Sequence, residues 1–175
     1  DFSFSPFIKD VNLSVTFAKS DNDSFVAEGA ALGPGQAWLD EIQLRLTSPS
    51  GTTITLIEFG SFDSDADRFR GSVTFDESAA QAGDSDPFQL MSGTFRPVGD
   101  ASGGLERLNG ESAVGEWTRS VADSLAEDGL SFYRASLQVQ TVPAPAAIWL
   151  ILATGAVGLF VRRRVCGQPS GQAGY

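Results

Sequence analysis

The chain has 175 residues, room for one globular domain and a tail, and its 12 basic against 22 acidic side chains give a formal net charge of −10. Histidine is absent and Cys166 is the sole cysteine, which excludes a Ser-His-Asp triad, a Cys-His pair, His-ligated zinc and any disulfide or CxxC knuckle within the chain. The acidic balance excludes the basic stripe that nucleic-acid backbones require and leaves divalent cations, or solubility alone, as its meaning.

Strand signals begin at Val11, Leu13, Val15 and Phe17, which alternate with Asn12, Ser14 and Thr16 as a half-buried strand does. The Asp-, Ser- and Gly-rich stretch 20–36 reads as a long loop. Ile42, Leu44 and Leu46 alternate next, followed by Ser48-Pro49-Ser50-Gly51 and a β-branched run over 52–59. Pro in the second turn position and Gly in the fourth predict a hairpin there. Further strands are predicted at 72–75, 93–95, 117–121 and 133–139. Short strands parted by turn clusters, with no amphipathic helix between them, predict an all-β fold: an antiparallel β-sandwich of jelly-roll type with Trp117 in its core. Trp38, beside the long loop, is the candidate for an exposed contact.

The character of the chain changes after Val142. All Asp and Glu lie before Pro143, and an uncharged run over 148–161 ends in Arg162, Arg163 and Arg164. A helix over 146–161 would span roughly 24 Å at ~1.5 Å per residue, short for a hydrocarbon core of ~30 Å but helped by snorkelling arginines. The expectation is one C-terminal transmembrane helix with the arginines as cytoplasmic anchor and 165–175 as a cytoplasmic tail. The alternative is a buried C-terminal helix of a soluble domain. Asp1 to Phe7 reads as mature domain rather than leader.

Two resemblances accompany these patterns. Val142, Pro143, Ala144 and Pro145, the apolar run and the arginine cluster resemble the PEP-CTERM sorting signal over 142–164, with Ala144 in the place of the usual Glu. That resemblance implies recognition by an exosortase, a membrane-held precursor in the inner membrane with the body outside the cytoplasm, and later release to the cell surface or extracellular space. It also implies association with extracellular polysaccharide. The body, residues 1–141, resembles the P domain found beside the catalytic domain of proprotein convertases and subtilases. The resemblance rests on Asp10-Val11-Asn12-Leu13-Ser14-Val15, Leu44-Arg45-Leu46-Thr47-Ser48-Pro49-Ser50-Gly51-Thr52, Phe75-Asp76-Glu77 and Gly93-Thr94-Phe95-Arg96-Pro97. Leu108-Asn109-Gly110-Glu111, Gly115-Glu116-Trp117-Thr118, Val121-Ala122-Asp123 and Ser136-Leu137 complete it. It implies a jelly-roll sandwich and a supporting role beside a protease.

Asp63-Ser64-Asp65-Ala66-Asp67 imitates the opening of an EF-hand loop, but Arg68 stands where Gly is needed and Thr74 where the bidentate Glu belongs. The candidate Ca²⁺ set is instead Glu41, Asp76, Glu77 and Asp123, each at the end of a predicted strand, with water-facing turn formers as the alternative. No pair of carboxylates is marked for acid–base work, so the sequence reads as a non-catalytic module. The expected function is an exported surface or matrix protein with a P-domain-like binding unit. The alternative is an accessory domain for a subtilisin-like serine protease.

Overall fold

The computed structural model describes residues 6–22, 24–62, 68–80, 92–99, 103–125 and 128–142. Two compact units divide the chain, Asp1–Ala144 and Pro145–Tyr175, and every described residue belongs to the first. Its strands are β1 (Phe7–Ser20), β2 (Ile42–Thr47), β3 (Thr53–Ile57), β4 (Phe69–Phe75), β5 (Gly93–Phe95), β6 (Thr118–Asp123) and β7 (Gly129–Val142). They form a four-stranded sheet in the order β5-β4-β1-β7 and a three-stranded sheet in the order β3-β2-β6.

β1 is the spine. Its alternation sends Val11, Leu13, Val15 and Phe17 to the inner face, where all four are buried. On the outer face Ser14 and Thr16 hydrogen-bond Thr74 and Ser72 of β4, each at 2.7 Å. A register shift opposite Thr16 and Phe17 leaves Tyr133 of β7 without a counterpart, the signature of a bulge that twists the pair. Ile42, Leu44 and Leu46 of β2 and Ile54 and Leu56 of β3 bury from the other sheet and join the same core. Each such side chain contributes about 1.5–3 kcal/mol of transfer free energy.

The hairpin turn falls on Ser48-Pro49-Ser50-Gly51, closed by Gly51 N–H to the Ser48 carbonyl and Ser48 N–H to the Thr52 carbonyl, both at 2.9 Å. Gly51 has φ +89°, a conformation that favours a residue without Cβ. Glu111 locks this turn from outside: its two carboxylate oxygens accept from Ser48 Oγ and Thr52 Oγ1, each at 2.5 Å.

Three expectations are corrected. The fold is all-β, but the sheets are open rather than a purely antiparallel jelly roll: β5 runs parallel to β4. Alternation reports which face a residue takes and is blind to strand direction. Residues 76–92 separate the two strands, length enough for the crossover that a parallel pair requires. Trp117 packs half-buried against the core instead of lying within it. The transmembrane helix, and with it the inner-membrane precursor, is corrected to what the described residues show. Among the described residues no helix reaches seven residues or is long and apolar enough to cross a membrane. The segment 146–161, Pro143, Ala144, Pro145 and the arginines 162–164 lie outside the described residues, as do 63–67.

Candidate functional site

Lys19 is the most unusual side chain in the domain. Following Phe17 by two residues on β1, it inherits the inward direction of Val11, Leu13 and Val15 and is wholly buried, at 0 % exposure. Asp123 ends β6 opposite Ile42 and so lies on the inner face of its own sheet. Glu41, in the 3-10 turn Leu39–Glu41 just before β2, is buried too. The three meet across the sandwich. Lys19 Nζ donates to Glu41 Oε2 at 2.9 Å, to Asp123 Oδ2 and Oδ1 at 2.8 and 3.0 Å, and to the Asp128 carbonyl at 2.6 Å. Asp128 is held in turn, its Oδ2 accepting from Trp38 N–H at 2.9 Å. A buried ammonium thus finds an acceptor for each of its N–H bonds, the condition under which such a charge is tolerated.

The other two candidate ligands sit elsewhere. Asp76 follows Phe75, which pairs with Leu13, whereas Lys19 pairs with Phe69. The step from Leu13 to Lys19 along β1 is roughly 20 Å at the strand rise. Asp76 Oδ1 closes its own turn by accepting from Ser78 N–H and Oγ–H, both at 2.7 Å. Glu77 Oε2 accepts from Leu105 N–H at 2.9 Å, at the start of the 3-10 helix Leu105–Leu108. As one Ca²⁺ ligand set the four carboxylates do not fit. Ca²⁺ needs six to eight oxygens converging at about 2.3–2.6 Å, and these residues form two groups near opposite ends of β4. No trio of His, Cys, Asp or Glu placed to hold a metal occurs among the described residues.

Glu77 has a partner the sequence did not announce. Burial raises its carboxyl above the ordinary range. A hydrogen bond with Glu106 and that neighbour's charge add to the rise, while Leu105 N–H and Arg96 oppose it. Burial also pushes the Glu106 carboxyl up. Hydrogen bonds from its own backbone, from Glu77 and from Gly104 N–H, with the charge of Arg107, outweigh that push and hold it low. The two shifts run in opposite directions, so Glu77 holds its proton to higher pH than Glu106. Gly104 makes room for them: a Cβ there would fall 1.9 Å from Glu77 Oε2.

The third feature is a recess of mixed apolar and polar lining. β6 and β7 are edge strands of their respective sheets, and between them opens a cavity of about 100 Å³ lined by Leu13, Leu46, Trp117, Arg119, Ala135 and Leu137. Arg119 stacks over the Phe132 ring at 4.6 Å. Exposed aromatics elsewhere are Phe25, Trp38 and Phe59, with Trp38 at 46 %.

Sequence reasoning singled out Glu41 and Asp123 and missed the cation between them. The signal was present: Lys19 is one of two lysines, and it falls on the inward register of the best-patterned strand. Nothing in the sequence foretold Asp128 or the pairing of Glu77 with Glu106. No family model matches the chain, and no curated protein or solved structure does either.

Proposed function

We propose that the chain is a non-catalytic, P-domain-like module that holds a partner protein by taking an extended apolar segment between β6 and β7. The observation that carries this reading is the open side of the sandwich. Two unpaired strand edges border a lining of Trp117, Ala135, Leu137 and Leu46, with Arg119 at its side. Unpaired edges among the described residues offer N–H and C=O groups in a row, and an extended segment satisfies them while its alternate side chains enter the apolar lining. The resemblance to P domains favours a protein partner, with a subtilisin-like protease as the class it implies. Lys19, Glu41, Asp123 and Asp128 are engaged with one another or with the backbone inside the sandwich, which leaves the β6–β7 side as the surface for a partner.

The test uses Trp117 as reporter. A short peptide of alternating Val and Thr should shift its emission to the blue and protect β6 and β7 amides from hydrogen exchange, and Leu137→Asp should abolish both effects. Unchanged emission and exchange would overturn the reading. A soluble polysaccharide that perturbs Trp38, with no response of Trp117 to peptide, would replace it with the matrix-binding function.

A further inference from the structure

The Lys19 cluster holds the reactants of a condensation. An amine and a carboxyl lie in contact, a second carboxylate touches the amine, and the amine itself is fully buried. Side-chain exposure is 0 % for Lys19, 8 % for Glu41 and 19 % for Asp123. Nζ is within hydrogen-bond distance of both Asp123 oxygens, 2.8 and 3.0 Å, which places it at about the 3–3.5 Å separation from Cγ of a near-attack arrangement. We propose that Lys19 and Asp123 join in an intramolecular isopeptide bond between Nζ and Cγ, with Glu41 as the catalytic proton carrier.

The hydrogen bonds fix the order of events. The ammonium gives the proton that points at Asp123 to that carboxylate, leaving a neutral amine and a carboxylic acid. Burial penalises charge and spares neutral groups, so this transfer is less uphill there than in water. The two remaining N–H bonds stay directed at Glu41 Oε2 and the Asp128 carbonyl, so the freed lone pair faces Asp123. Nζ then attacks Cγ and forms the C–N bond. Glu41 takes a proton from the now positive nitrogen and passes it to the Asp123 hydroxyl. The C–O bond breaks, water leaves, the carbonyl re-forms and Glu41 is again a carboxylate. One amide and one water replace one ammonium and one carboxylate, so no external reagent is required. Holding both partners in one rigid core supplies the high effective concentration that a free amine and carboxylate lack.

The product would staple β1 to β6, and thus one sheet to the other, across 104 residues of sequence. It does not depend on what the open side of the sandwich binds. Intact-mass measurement of the folded full chain should read one water below the sequence mass. Tryptic digestion should yield fragment 10–45 joined through Lys19 to fragment 120–134, because an acylated Lys19 is no longer cleaved. The linked chain should run ahead of the unlinked one on a denaturing gel. Lys19→Arg should restore the full mass, and Glu41→Gln, which keeps the size and a hydrogen bond but carries no proton, should leave the bond unmade in a chain with an unchanged far-UV spectrum. The Asp128-Gly129 step can also lose water as a succinimide; that loss would survive Lys19→Arg and sit in an unlinked 120–134 fragment, and finding it as the sole loss would overturn the proposal. So would a folded wild-type chain at its full sequence mass, whatever the variants do. Linkage at an undiminished rate in Glu41→Gln would overturn the role of Glu41.

Discussion

Lys19 shows how one residue's position on a strand can outweigh its solvation preference. An ammonium at the inner face is costly unless every donor is matched, and here Glu41, Asp123 and Asp128 supply the match. Lys19→Ala leaves two carboxylates facing each other in the core without their cation. Relative to the unlinked chain, unfolding by urea should show a loss of about 3–5 kcal/mol, the cost of breaking a buried pair from one side. Glu77 and Glu106 make a milder, pH-dependent pair. The folded pKa of Glu77 is raised, so its contribution is present at low pH and is lost as pH rises through that value. Glu106 is lowered, so its contribution appears above its unfolded pKa and is lost as pH falls through the folded one. Both hold together in the window between the two folded values, around the ordinary Glu range, and repulsion returns above it. Urea midpoints compared at mildly acid and at mildly alkaline pH should therefore fall toward the alkaline side, and Glu77→Gln should flatten that slope. A wild-type midpoint that rises toward alkaline pH would contradict the raised Glu77 carboxyl.

Among the elements, the β2–β3 hairpin has the most legible cause. Pro49 presets the turn, Gly51 accepts its positive φ, and Glu111 ties Ser48 and Thr52 from a distant part of the chain. Glu111→Ala removes two hydrogen bonds to a charged acceptor, each contributing about 1.5–3 kcal/mol. The expected loss lies toward the lower end, since part of each hydroxyl's demand is met by water in the variant, and thermal denaturation measures it. The loop after β1 is likewise held by contacts to β7: Val26 N–H donates to Ser131 Oγ at 2.8 Å and Tyr133 Oη–H to the Val26 carbonyl at 2.9 Å. Tyr133 stands at the register shift of β7, so the bulge turns its ring toward that loop. Tyr133→Phe should raise hydrogen exchange at Val26 and its neighbours while leaving the strand amides of β1 protected.

For the molecule as a whole, the core formed by the described residues lies in the unit Asp1–Ala144. A chain cut after Ala144 should therefore melt within a few degrees of the full chain, because every buried apolar side chain of the cluster is retained. A collapse of the melting transition in the truncated chain would place essential contacts in 145–175. Trp117 belongs to this scale as well, since its burial is set by how far the two sheets close. Half-buried at the open side, it should cost less on Trp117→Ala than the ~3–5 kcal/mol of a fully enclosed aromatic. The same openness is what makes the β6–β7 side available to a partner.

By itself the sequence determined the all-β class, the places of the strands and the hairpin turn. Those depend on short-range alternation and turn chemistry: Val11 to Phe17, Ile42 to Leu46 and Ser48 to Gly51 carry their structure locally. The tertiary structure alone decided which strands became neighbours, that β5 runs parallel to β4, and that the sheets stay open beside β7. It also divided the four candidate carboxylates. A strand end is a local property, but whether two strand ends share a pole of the sandwich depends on chain direction, which alternation does not encode. Glu41 and Asp123 meet because β2 and β6 are antiparallel neighbours. They meet over a lysine because the period of β1 carries Lys19 inward on the same stripe as Phe17, where an ammonium can be solvated only by the protein itself.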